Sequence, residues 1–346
     1  MPSSTIAEAG PELPAVALPP LAVALGDPAG IGPELAAKAW ELRAAHDLPP
    51  FFVVGDARSI AAVWDGPVGR ITDPANARAC FAEALPIIQV EDAGEIVPGQ
   101  PNLAGARCSL DSLELAAGLT RSGAAAALVT GPVAKHQLYD IGFAHPGQTE
   151  FIAERCGIAR DNVVMMLAGP TLRTVPVTTH VALRDVPELL TSELIVAKAR
   201  VTERGLARDF GIERPRLAVA GFNPHAGESG ALGREEIDII LPAIERLRED
   251  GIDVVGPLPA DTMFHPRARA RYDAAICMYH DQGLIPLKAL HFDDGVNLTL
   301  GLPIVRTAPD HGTAFDIAGK DIADPGATVA AIRLARACAE HRAHAS

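Results

Sequence analysis

Short apolar runs of β-type residues recur along this chain, and stretches of helical periodicity lie between several of them. The runs fall at 21–25, 51–54, 87–90, 127–130, 163–167, 174–178, 217–222 and 274–278, and most lead into a glycine-bearing turn. Continuously apolar strands are those buried on both faces, as in parallel sheets covered by helices. Segments 110–119 and 237–247 read as helices, the second with Ile237, Ile240, Leu241, Ile244 and Leu247 on one face. Pro242 inside that pattern predicts a kink or a helix start, because proline lacks the N–H an internal helical position donates. The alternation of strand and helix predicts an α/β fold with a largely parallel sheet. At 346 residues the chain exceeds one typical core, which predicts two lobes.

Hydrophobic residues make up 48% of the chain but aromatics only 4%, so the interior is expected to be built from Ala, Val, Leu and Ile. The formal net charge of -13 excludes a general nucleic-acid or anionic-membrane binder, which needs a basic surface. Any phosphate must then be met by a local basic pocket. Five cysteines, widely spaced and without a CxxC pair, fit reduced thiols and a cytoplasmic setting. Residues 1–20, rich in Pro, Ala, Ser and Glu, read as a loose tail without the pattern of a secretion signal. No stretch reaches the roughly 18 consecutive apolar residues of a membrane helix.

Open α/β sheets bind ligands beyond the carboxyl ends of their strands, so polar residues there carry the functional information. The first run leads into Gly26-Asp27-Pro28-Ala29-Gly30-Ile31-Gly32-Pro33-Glu34, a turn suited either to close approach of a ligand or simply to a tight strand-to-helix connection. It is neither GxGxxG nor a Walker loop. His180, His225 and His280 each follow a predicted strand, and three imidazoles leave positions open on a divalent ion for a substrate. Lys288, Asn297 and Arg306 together suit a carboxylate or phosphate. Asp261 and Asp281 are candidates for proton transfer or for orienting a neighbour, and turn capping suits Asp261 equally well. The segment from His311 to Lys320 suits a loop whose backbone lies against a flat ligand.

The motifs GDPAGIGPE, LVTGPVAK, GQTEF, GFNPHAGE, GPLPADTMF, YHDQGLIPLK and DHGTAFDIAG stand in the order found in 4-hydroxythreonine-4-phosphate dehydrogenases, which the chain resembles over nearly all of 21–326. The first and last also resemble loops of isopropylmalate and isocitrate dehydrogenases. The resemblance implies that two-lobed α/β fold with a central cleft, with 21–140 plus 285–346 forming the cofactor-side lobe. Residues 141–284 would form the lobe carrying the metal site and the interface of a homodimer with shared active sites.

By the same resemblance, His180, His225 and His280 match the ligands of one divalent ion (Zn, Mg, Mn or Co), contributed jointly by two subunits. Gln148, Thr149, Lys288, Asn297 and Arg306 match substrate contacts, and Lys288, Asp261 and Asp281 are the catalytic candidates. His311, Gly312, Thr313, Ala314, Asp316 and Gly319 match the contacts to the adenosine end of NAD or NADP. One departure is Gln148, where the family usually has histidine. Glutamine donates and accepts hydrogen bonds but carries no charge. The implied reaction is oxidation of 4-phosphooxy-L-threonine followed by decarboxylation. A paralogue acting on threonate or erythronate phosphate, or on a diene-diol dicarboxylate, is the alternative; phosphate acyltransferases share the broad fold but need neither the histidines nor nicotinamide.

Overall fold

The computed structural model describes residues 18–345, so the tail expected at 1–20 lies, up to position 17, outside the described residues. The strands are β1 (Leu21–Ala24), β2 (Phe51–Gly55), β3 (Val68–Arg70), β4 (Leu85–Gln89), β5 (Leu128–Thr130) and β6 (Val164–Gly169). They continue with β7 (Leu172–Pro176), β8 (Arg216–Ala220), β9 (Asp253–Leu258), β10 (Ala274–Cys277), β11 (Val296–Leu300) and β12 (Arg306–Pro309). All belong to one 12-stranded sheet ordered β3-β4-β2-β1-β5-β12-β11-β6-β7-β10-β8-β9.

Two blocks of this sheet are parallel. Neighbours run the same way from β3 to β12 and again from β7 to β9. Between the blocks, β11 pairs antiparallel with β12 and β6, and β6 with β7. Three reversals set the second block against the first. All eight apolar runs became strands. Of the four strands outside those runs, β3 and β9 occupy the sheet edges and are only partly buried, so their apolar signal is weak. The other two, β11 and β12, carry Asn297 and Arg306, which break the apolar pattern because they face a cleft.

The segment expected as a helix at 110–119 lies within the helix Leu103–Arg121, whose first turn is capped by Asn102 Oδ1 accepting from Gly105 N at 2.7 Å. Ser112, buried on its inner face, donates to Val54 O at 2.6 Å and accepts from Leu25 N at 3.2 Å, fixing where β1 enters the glycine-rich turn. The second expected helix is interrupted as Pro242 predicts: a π-helical turn at Glu236–Ile240 precedes the α-helix Leu241–Glu249, with proline in the first turn, where no N–H is missed. Alternating small and branched aliphatic side chains fill the core, as the scarcity of aromatics implies. Among the described residues, no helix is long and apolar enough to cross a membrane.

Candidate active site

A cleft of about 1130 Å³ opens over the antiparallel centre of the sheet. Residues paired across antiparallel strands share a face. Asn297 of β11 stands opposite Ala308 of β12, and both line the cleft, as does Arg306 two residues before Ala308. Arg306 is only 4% exposed. Its Nη2 donates to Thr130 Oγ1 at 2.7 Å and Gln148 Oε1 at 3.2 Å, and its Nη1 to Thr299 Oγ1 at 3.2 Å and Thr149 Oγ1 at 3.5 Å. Burial pulls Arg306 down to about 10 against the opposing field of Glu150, which leaves it protonated at neutral pH.

Every hydrogen-bond acceptor around this cation is a neutral oxygen. Two polar atoms, Arg306 Nε and Asn297 Oδ1, are buried with no partner among the described residues. Burying a charge without a counter-charge is costly, and buried polar atoms are normally paired. A small ligand with an anionic group for Arg306 Nε–H and an N–H or O–H donor for Asn297 Oδ1 would satisfy both. Gln148 and Thr149 reach the site from the start of the helix Gln148–Arg155, which no side chain caps. Gln148 is itself held by its Nε2 donating to Gly131 O at 3.0 Å. Lys288, on the helix His280–Leu290, brings its Nζ to 2.8 Å from Asp310 Oδ2 just beyond β12.

Three histidines follow adjacent strands: His180 after β7, His280 after β10 and His225 after β8. The rings of His180 and His280 have centroids 5.5 Å apart. Asp281 Oδ1 lies 2.7 Å from His280 Nδ1, which orients the ring with Nε2 free to point elsewhere. Burial, then Lys135 and His280, pull the His180 pKa down, favouring the neutral imidazole that ligates metals. His180 and His225 both hold left-handed backbone, with φ of 55° and 52°. Such conformations are strained for non-glycine residues and cluster at functional sites. Among the described residues no three His, Cys, Asp or Glu side chains converge into a ready metal cage, and the ring contact the structure shows among these histidines is that of His180 with His280.

The segment 311–319 folds back over the glycine-rich turn. Ile31 N donates to Thr313 O at 3.0 Å, and Gly99, whose N donates to Ala29 O at 2.7 Å, closes the far side against Phe315. A side chain at Gly26, φ 77°, would lie 2.2 Å from Pro132 O, so this turn requires glycine for packing. His311 is pulled down by burial against Gly312 and Asp310, and its Nε2 is buried without a partner among the described residues. Ala314 takes a left-handed φ of 43°, Asp316 and Gly319 are exposed, and a side chain on Gly312 would meet nothing within 4 Å.

Asp261 stands elsewhere, in a separate hollow of about 360 Å³ with His265, Arg267 and Arg271. Sequence reasoning gave no role to Thr130, Thr299 or Lys135. Thr130 and Lys135 lie within the strand-end run TGPVAK, which was the available signal. Thr299 became visible only through the pairing of β11 with β12. Asp27, also passed over, is 2% exposed and raised by burial against the hydrogen bond from Ala29 N at 3.0 Å.

A large sheet with a cleft over its centre, a buried cation awaiting an anion and a pair of imidazoles define an α/β enzyme for a small anionic substrate. The chain matches the family described as "Pyridoxal phosphate biosynthetic protein PdxA" over residues 47–335, and it belongs to that family. It is 58% identical over 323 residues to a 4-hydroxythreonine-4-phosphate dehydrogenase of Zymomonas mobilis, spanning 93% of this chain and 96% of the relative. A relative of the same name from Erythrobacter litoralis is 56% identical over 331 residues, 94% and 98% of the two chains. The crystal structure of a 4-hydroxythreonine-4-phosphate dehydrogenase from Klebsiella pneumoniae superposes with a TM-score of 0.83 at 37% identity, covering 92% of this chain and 99% of that one. The two-lobed α/β fold expected from the motifs is therefore the fold observed.

Proposed function

We propose that this chain is an NAD(P)-linked dehydrogenase that oxidises 4-phosphooxy-L-threonine to 2-amino-3-oxo-4-phosphooxybutanoate. That β-keto acid loses carbon dioxide to give 3-amino-2-oxopropyl phosphate, a precursor of pyridoxine 5'-phosphate. The family supports the reaction class and the names of the relatives support the substrate. The observation that carries the reading is Arg306, a buried cation with neutral partners, an unpartnered Nε and a place on the same cleft as His180 and Lys288. Relatives at 51–58% identity share the phosphate-substrate name, so another hydroxy acid is the less favoured substrate.

In this reading Arg306, Thr149 and Gln148 bind an anionic group of the substrate, with Asn297 Oδ1 accepting from its amine or hydroxyl. This fixes the reacting carbon in the cleft. Lys288 moves the proton: its neutral amine takes one from the hydroxyl during oxidation, and the ammonium so formed, held by Asp310 at 2.8 Å, returns it to the enol after decarboxylation. Asp281 acts through His280 by fixing its tautomer, and Asp261 stands as a further proton-transfer candidate from its separate hollow.

The donor set suits a divalent ion: His180 is biased toward the neutral form, His280 is oriented by Asp281, and His225 follows the next strand of the sheet. His180, His225 and His280 would hold Zn, Mg, Mn or Co, supplying Lewis acidity toward the substrate oxygen. The segment 311–319 suits NAD or NADP, because His311 Nε2 is a buried polar atom awaiting a partner and Gly312 leaves open backbone beside it. His311, Gly312, Thr313, Ala314, Asp316 and Gly319 would contact its adenosine end, and the bound dinucleotide would supply the hydride acceptor.

A homodimer completes each active site, consistent with exposed Val181, Leu183, Ile285 and Phe292 close in sequence to His180 and Lys288. Residues 21–140 with 285–346 form one lobe and 141–284 the other. The setting is the cytoplasm, in keeping with five free cysteines. The test is reduction of NAD and of NADP with 4-phosphooxy-L-threonine, using metal-stripped protein titrated with Zn, Mn, Mg or Co. Turnover that metal restores and His225→Ala abolishes establishes reaction and site; silence with every metal and both dinucleotides overturns the reading.

A further inference from the structure

The three histidine-bearing segments leave the sheet where its regular ladder ends, and one line of hydrogen bonds continues across the gap. On the β7 side, Thr178 Oγ1 donates to Met278 O at 2.8 Å, and Thr178 N donates to the same oxygen at 3.3 Å. From the other side of that residue, Met278 N donates to Gln282 Oε1 at 2.7 Å. Gln282 Nε2 then donates to Gly221 O, just past β8, at 2.7 Å. Thr178 and Gln282 are 5% and 7% exposed. The line runs from two residues before His180, through two residues before His280, to four residues before His225.

A second buried polar group secures the His225 end. Glu236, 3% exposed, accepts from Asn223 N at 2.7 Å and Asn223 Nδ2 at 2.9 Å. The chain then runs left-handed from His225 to Ser229, with φ between 43° and 77°. A side chain at Gly227 would come within 2.5 Å of Glu236 Oε2, so the carboxylate packs against this strained turn. Backbone in that region persists only when its surroundings over-determine it.

We propose that Gln282 is a positioning residue for the divalent-cation site: its amide joins the strand ends that launch His280 and His225, and through Met278 and Thr178 it extends that constraint to His180. The proposal rests on the reading of these histidines as cation ligands. An amide is the group this place requires, since it accepts from Met278 N–H with one end and donates to Gly221 C=O with the other. An apolar side chain of the same length fills the space and leaves both backbone groups unpaired. The ladder-end spacing then relaxes, and each histidine is presented to its cation from a displaced strand end.

Cobalt(II) tests this in the full-length protein, because its visible absorption reports affinity and coordination geometry without turnover. Gln282→Met is expected to weaken Co²⁺ binding by about tenfold to a hundredfold and to change the intensity of the visible bands. NADH binding, followed by its fluorescence, should be unchanged and serves as evidence that the variant is folded. Should Gln282→Met fail to fold, Thr178→Val and Thr178→Ser replace it: the valine variant loses the bond to Met278 O and should lose affinity, whereas the serine variant keeps the hydroxyl and should retain it. Wild-type Co²⁺ affinity and spectrum in Gln282→Met, or in Thr178→Val, overturn the proposal while leaving the cation site intact. If wild-type protein does not bind Co²⁺, or His280→Ala binds it unchanged, the cation-site reading itself fails and the proposal falls with it.

Discussion

Lys288 Nζ lies 2.8 Å from Asp310 Oδ2, joining the helix that follows β10 to the segment that follows β12 across the cleft. The two residues belong to oppositely running halves of the sheet. The ion pair ties the lysine nitrogen to the end of the strand that presents Arg306, and all three residues line one cleft.

Lys288→Met removes the proposed proton carrier, and kcat for the dehydrogenase reaction should fall by about 10²–10⁴-fold with little change in dinucleotide affinity. Asp310→Asn keeps the lysine and loses only its anchor, so the expected loss is smaller, about tenfold. Steady-state kinetics of both variants check this; wild-type kcat in Lys288→Met assigns proton transfer to another group.

Arg306→Lys keeps the charge and loses the planar fork that reaches Thr130, Gln148 and Thr299 together. Its KM for the phosphorylated substrate should rise about tenfold to a hundredfold, corresponding to about 1.5–3 kcal/mol for a hydrogen bond to a charged group. KM for the dinucleotide should stay within about twofold of wild type. Parallel increases in both would show that Arg306 supports the fold rather than the substrate.

Asp209 is fully buried and accepts from Arg342 Nε at 2.7 Å and Arg208 Nε at 2.8 Å, linking the helices Ser192–Phe210 and Gly326–Ala345. Asp209→Ala removes the buried carboxylate that both part-exposed arginines share, together with its charge-assisted hydrogen bonds, and should cost about 1.5–3 kcal/mol. Urea denaturation of the variant measures the loss, and a midpoint equal to that of wild type would show that the pairing contributes nothing net.

Stability should fall in acid through Asp56. Burial alone would raise its pKa, but Arg58, the Ala93 and Arg58 backbone N–H groups and Gln89 outweigh it and hold the carboxyl well below its ordinary value of 3.8. A carboxyl depressed by folding contributes its full stabilisation above the unfolded value and loses it as the pH falls toward the folded one. The loss therefore begins near pH 4 and grows below it. Asp56→Asn should flatten the dependence there by about one proton, as measured by denaturation at successive pH values.

Phe292 is 77% exposed and Ile285 65% exposed, on and just after the helix that carries Lys288. If a second copy covers this face, Phe292→Glu should shift the protein from dimer to monomer in sedimentation and remove most of the turnover. An unchanged dimer would place the interface elsewhere.

The sequence by itself determined the α/β class, because eight apolar runs with helical segments between them admit few other packings, and all eight are strands. It also marked the residues that crowd the strand ends, since a polar side chain after an apolar run is conspicuous, and it placed the break at Pro242. Tertiary structure alone decided which of those residues meet. The three reversals at β11, β6 and β7, invisible in local periodicity, bring Arg306 beside Thr130, Thr299 and Gln148, residues 7 to 176 positions away along the chain. The same pairing put Asp261 in a different hollow from Lys288, although both belonged to one expected set. It also gave Gln282, an ordinary polar residue in the sequence, a buried bond to Gly221 across 61 positions. Local pattern records which face of an element is buried, whereas contacts between distant elements follow from strand order, and strand order is a property of the whole sheet.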